Sequence, residues 1–138
     1  MSESRPQPGA RLRAAVSATL AGYWLVLFIG THWPKLNLGS LPQNSDKALH
    51  FLAYGGLGFL IAVWVSTRRE VRAADVGRIF AVVCGYSILD ELTQIPVGRS
   101  CELLDAVADW AGCLVGLSAF FVLRSAIRRI AAAQRMAA

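Results

Sequence analysis

Three short sets of residues in this 138-residue chain combine types and spacings that can do chemistry. Asp46, Lys47, His50 and Tyr54 form the first, and Asp46, His50 and Tyr54 recur every fourth position, on one helical face. Asp90, Glu91 and Gln94 form the second, spaced so that the amide of Gln94 reaches either carboxylate. Arg99, Asp105 and Asp109 form the third, the two aspartates again one helical turn apart. Carboxylates with one histidine can hold a divalent cation such as Mg²⁺, Mn²⁺ or Ca²⁺, and the ligand candidates are Asp90, Glu91 and Asp109. His50 would act as general acid or base, with Asp46 orienting its ring. Arg99 would grip a phosphate or carboxylate with its two-pronged fork. Asp46, His50, Asp90, Glu91, Arg99 and Asp109 are thus the catalytic candidates. Lys47, Tyr54, Gln94 and Asp105 would contact the substrate. The set suits hydrolysis or transfer at a phosphoryl, acyl or glycosyl centre, and paired carboxylates can do such work without a metal.

Apolar elements must position these groups. The chain is 55% hydrophobic, with a mean hydropathy of +0.47. Uncharged runs cover Ala14–Gly30, Ala48–Ser66, Ile79–Leu89 and Trp110–Leu123. Extended by flanking turns, each approaches the length that crosses a ~30 Å hydrocarbon core. A soluble helix would keep a polar face, and these runs have none. The expected fold is all-α, a four-helix transmembrane bundle. Residues 1–12 read as a disordered N-terminal tail, 13–124 as the membrane domain and 125–138 as a basic C-terminal tail. "FIGTHWP" after the first run lacks a small-x-small cleavage site, so that run reads as an anchor. Pro96 is expected to end the third helix.

Arginines flank the first run (Arg5, Arg11, Arg13), separate the second from the third (Arg68, Arg69, Arg72, Arg78) and follow the fourth (Arg124, Arg128, Arg129, Arg135). The positive-inside rule places both termini and the middle loop in the cytoplasm. The three chemical sets then share the outer face, where an acidic, water-accessible pocket would open, and no such set is expected on the inner side. The net charge of +5 is a basic inner rim rather than a sign of nucleic-acid binding. Cys84, Cys101 and Cys113 lack CxxC spacing, which argues against a disulfide framework or thiolate zinc site. Gly112 and Gly116 are spaced for close helix contact, and Gly55, Gly56 and Gly58 thin the second span. Asp90 and Glu91 pose a problem. They sit at the negative C-terminal end of a helix, where the dipole and desolvation both disfavour anions. Arg99, Lys47, a metal or a substrate would have to balance them.

"DKALHFLAYGGLGF" resembles the VanZ-like family pattern D-K-x-x-H-F-x-x-Y-x-x-L-G, at Asp46, Lys47, His50, Phe51, Tyr54, Leu57 and Gly58. "DELTQ" resembles its D-E-x-x-Q motif at Asp90, Glu91 and Gln94. "GRSCELLDAVADWAGCLVG" is similar to its closing segment at Gly98, Arg99, Asp105, Asp109, Gly112 and Gly116; the family often has Asn where this chain has Asp109. The motifs span roughly half the chain, and the first span and tails are generic. The family takes its name from a protein associated with low-level teicoplanin resistance, teicoplanin being a glycopeptide that acts on cell-wall precursors. The resemblance implies a small multi-pass protein of the bacterial inner membrane working at the cell envelope on a lipid-linked or envelope substrate. The alternatives are a non-catalytic binder of a lipid headgroup, glycopeptide or cation, and a structural membrane subunit. Polar groups at one face alone do not sketch a transport path.

Overall fold

The computed structural model describes residues 8–33, 45–98 and 102–137; Arg99 and Cys101 lie outside them. Four α-helices follow in order: α1 (Pro8–His32), α2 (Ser45–Ser66), α3 (Ala73–Gln94) and α4 (Leu103–Ala137). A 3₁₀ turn, Ile95–Val97, follows α3. The α-helical run ends at Gln94, two residues before Pro96, but Ile95 keeps a right-handed helical conformation and the chain passes through Pro96 in the 3₁₀ turn. The helix α1 begins inside the stretch expected to be a tail, and α4 runs on through the basic C-terminal segment.

Three of the four helices, α1, α2 and α4, are long and apolar enough to cross a membrane. With 22 residues, α2 measures about 33 Å. The helix α3 has the same length but a different composition. Asp75 and Arg78 near its start and Asp90 and Glu91 near its end leave only Ile79–Leu89 uncharged. Large apolar side chains such as Val26, Leu52, Val82 and Val122 face outward. Such an exterior suits lipid rather than water.

The most extensive helix contact joins α2 to α4. The two run parallel: Lys47 meets Asp105 near their N-termini, and Phe59 meets Phe120 further along. Glycine makes this contact close. A Cβ on Gly112 would collide with the Phe51 carbonyl oxygen, and one on Gly116 with that of Gly55. The GxxxG pair therefore lets two backbones touch, as its spacing predicts. The helix α1 runs antiparallel to α2, with Tyr23 donating to the Ala53 carbonyl at 2.7 Å and Trp64 donating to Ser17 at 3.1 Å. Its C-terminal end meets the C-terminal end of α3, where Thr31 reaches Asp90. The buried core between the helices includes Tyr54, Leu57, Val83, Cys113 and Leu117.

One expectation needs correction at the arginine-rich end, which also holds a polar set. Arg69 grips Asp75 with both guanidinium nitrogens, at 2.5 and 2.6 Å. Arg124 and Arg128 donate to Glu70 at 2.9 and 2.7 Å. These are opposite charges neutralising one another, with Asp75 buried and Glu70 exposed. The hydrogen bond from Arg128, helped by the charges of Arg128 and Arg124, holds the Glu70 carboxyl below the usual carboxylate range. Stability from this contact is therefore complete above that range and is lost as pH falls through the lowered Glu70 pKa. Glu70→Gln is expected to remove that acid-side loss, a small effect that high salt abolishes because the groups are exposed. Thermal midpoints across acid pH at two salt concentrations check it.

Candidate functional site

Because α2 and α4 run parallel while α1 and α3 oppose them, one end of the molecule gathers two N-termini and two C-termini. The described polar residues from the sequence motifs meet there. The approach of α2 to α4 brings His50 Nδ1 to 2.9 Å from Asp109 Oδ1, with the residues only 4% and 0% exposed. The carboxylate at the ring is thus Asp109, from the facing helix, and not Asp46. Asp46, though exposed, keeps a carboxylate oxygen within 4.8 Å of His50 and Asp105.

Neutral donors hold Asp90. Its Oδ1 accepts from Thr31 at 3.0 Å and from Tyr86 at 3.4 Å, and its Oδ2 from the Gln94 amide at 3.3 Å. Gln94 also reaches Glu91 Oε1 at 3.4 Å, so the amide serves both carboxylates as its spacing predicts. The backbone N–H of Glu102, just ahead of α4, donates to Glu91 Oε2 at 3.0 Å. A charged hydrogen bond of this kind contributes about 1.5–3 kcal/mol. Lys47 does not balance Asp90 or Glu91. Its ammonium lies between Glu102 at 2.8 Å and Asp105 at 2.9 Å. Arg99, the other expected partner, falls outside the described residues.

Thr31 and His32 at the end of α1 also belong here, although the chemical sets did not include them. His32 Nδ1 lies 2.9 Å from the Phe28 carbonyl, the distance of a donated hydrogen bond, and Nε2 lies 2.9 Å from Thr93 Oγ1. The same ring is 3.6 Å from Asp90 Oδ1. An ionisable residue closing an apolar run was the available signal, the same that marked His50. Ser87, Tyr86 and Thr93 were likewise detectable, one turn from Asp90 and Glu91 along α3.

Among the described residues, several buried polar atoms at this end have no partner within hydrogen-bond distance: Tyr54 OH, Ser87 Oγ and Asp109 Oδ2. They come from α2, α3 and α4. Ser87 lies beside Asp109, and Tyr54 beside Asp90. The Tyr54 ring stacks parallel to that of His50, centroids 6.3 Å apart. A groove lined by Phe59, Val63, Phe120 and Leu123 lies elsewhere, at the basic end.

This end can do two kinds of chemistry. A carboxylate beside an imidazole fixes its tautomer and supports it as a general base. The same groups, with Glu91, can converge on a cation. Helices of membrane-crossing length and composition around such a buried polar end define a small helical membrane protein. The VanZ/LLP1 family profile matches residues 10–124, and the chain belongs to that family. Comparison with curated proteins and with solved structures gives no match.

Proposed function

We propose that this chain is a multi-pass enzyme of the bacterial inner membrane that performs hydrolysis or group transfer on a lipid-linked or other cell-envelope substrate. In this reading α3 is the fourth span of a four-helix bundle, both termini are cytoplasmic, and the polar end opens outward as an acidic pocket. The supporting observation is the buried His50–Asp109 pair at 2.9 Å. Burying two ionisable groups costs several kcal/mol each. Fold alone gives little reason to retain them where an apolar pair would pack. His50, Asp109 and Glu91 activate the attacking oxygen, Asp90 and Asp46 complete the acidic lining, and Arg99 holds an anionic group. Lys47, Tyr54, Gln94 and Asp105 contact the substrate.

The test is purified protein in lipid nanodiscs incubated with a panel of polyprenyl-phosphate-linked sugars, with products followed by mass spectrometry. Product should appear with the wild type and be lost in His50→Gln that inserts normally. Equal turnover by His50→Gln would sink the reading. A second reading, binding of a headgroup without chemistry, draws on the way Asp90 and Glu91 are already held by protein donors. It predicts retention of a panel member with no product.

A further inference from the structure

We propose that His50, Glu91 and Asp109 bind one divalent transition-metal cation, an assignment that rests on the reading of this end as a reactive site. Each residue offers one ligand atom, and the three atoms lie within 4.8 Å of one another. The 2.9 Å between His50 Nδ1 and Asp109 Oδ1 fits two adjacent ligands of an octahedral ion. Bonds of about 2.1 Å put such ligands about 3.0 Å apart.

Burial and orphaned atoms carry the argument beyond a cluster of acids. The three residues are 4%, 3% and 0% exposed. Among the described residues, Asp109 Oδ2, Tyr54 OH and Ser87 Oγ have no partner within hydrogen-bond distance, though Ser87 stands next to Asp109 and Tyr54 next to Asp90. Polar atoms buried so deeply are normally satisfied, by protein, by water or by an ion. A cation with its bound waters satisfies all three. Charge points the same way. Among the described residues the hydrogen-bond donors to Asp90 and Glu91 are neutral, the His32 ring stands 3.6 Å from Asp90 and away from Glu91 and Asp109, and Lys47 is committed to Glu102 and Asp105. Two positive charges offset Glu91 and Asp109.

The chemistry of the set narrows the ion. Ca²⁺ prefers six to eight oxygens, whereas imidazole with carboxylates suits a first-row ion such as Mn²⁺. A second grouping, Asp46, His50 and Asp105, shares the histidine. It is the poorer host, because the Lys47 ammonium stands 2.9 Å from Asp105. Asp90 falls outside both groupings and serves as a neighbour to the ion.

The test is Mn²⁺ titration of the full chain, stripped with chelator and reconstituted in nanodiscs, with free Mn²⁺ read by electron paramagnetic resonance. One ion per chain is expected. Glu91→Gln should weaken binding by at least about 10-fold. The double change His50→Leu with Asp109→Leu should abolish it, and Glu70→Gln at the far end should leave it alone. Should Glu91→Gln misfold, Tyr54→Phe, which deletes one hydroxyl, takes its place, with weaker binding expected. No Mn²⁺ retained by folded wild type at millimolar concentration overturns the site. So does binding that the variants leave unchanged. Mn²⁺ binding with no turnover of any substrate upholds the cation site and removes the enzyme reading alone. Turnover by chelated protein that binds no Mn²⁺ does the reverse.

Discussion

His50→Leu is expected to cost about 3–5 kcal/mol of stability, because it leaves the fully buried Asp109 carboxylate without its partner. Turnover should fall by roughly 10²- to 10⁴-fold, the usual contribution of a positioned acid–base group. Adding Asp109→Leu should restore most of the lost stability, since replacing both members of a buried pair with apolar groups is often neutral. It should not restore turnover. Thermal or denaturant unfolding and product formation, measured on the same three preparations, separate the contributions. Recovery of activity in the double variant, or full stability in the single one, contradicts the assignment of this pair as functional.

Gly116→Val should separate α2 from α4. The first atom a side chain meets is the Gly55 carbonyl oxygen, with that residue's carbonyl carbon behind it. Overpacking a core costs about 1–3 kcal/mol when side chains can yield. Here backbone meets backbone, so one helix must move. The displacement also draws Asp109 away from His50, which depends on the same approach. Gly85→Ala is the matched control, because nothing lies within 4 Å of its added carbon. That change should be neutral or gain up to about 1 kcal/mol of helix propensity. The expected contrast is a large fall in thermal midpoint and a lost monodisperse peak for the first and neither for the second. Equal behaviour of the two variants would remove the close-contact account.

Much of this was legible along the chain, and the part that was not has a physical cause. Uncharged runs located all four helices, Pro96 marked the end of α3, and Gly112 and Gly116 marked the closest contact. Helical spacing correctly tied Gln94 to both Asp90 and Glu91. Spacing within one helix placed Asp46 near His50, where it does lie, but says nothing about the distance between two helices, so the hydrogen bond to the facing Asp109 was not foreseen. Lys47 was drawn toward Asp90 and Glu91 by its depth alone, while its ammonium reaches Glu102 and Asp105. Thr31 and His32 escaped notice because the first span carries no family motif, yet Thr31 donates to Asp90. Summing arginines for orientation likewise hid their pairing with Glu70 and Asp75.

The neutral donors that hold Asp90 and Glu91 also bear on how the chain is made. Tyr86 and Gln94 belong to α3 itself, but Thr31 comes from α1 and the Glu102 amide from the threshold of α4. Taken alone, α3 lacks both. Synthesis delivers α1 first, while Glu102 leaves the ribosome only after α3 is complete. The charged end of α3 therefore gains the Glu102 donor only once the start of α4 has followed it. The settling of α3 among the others is expected to be a late event of biogenesis, coupled to the arrival of α4.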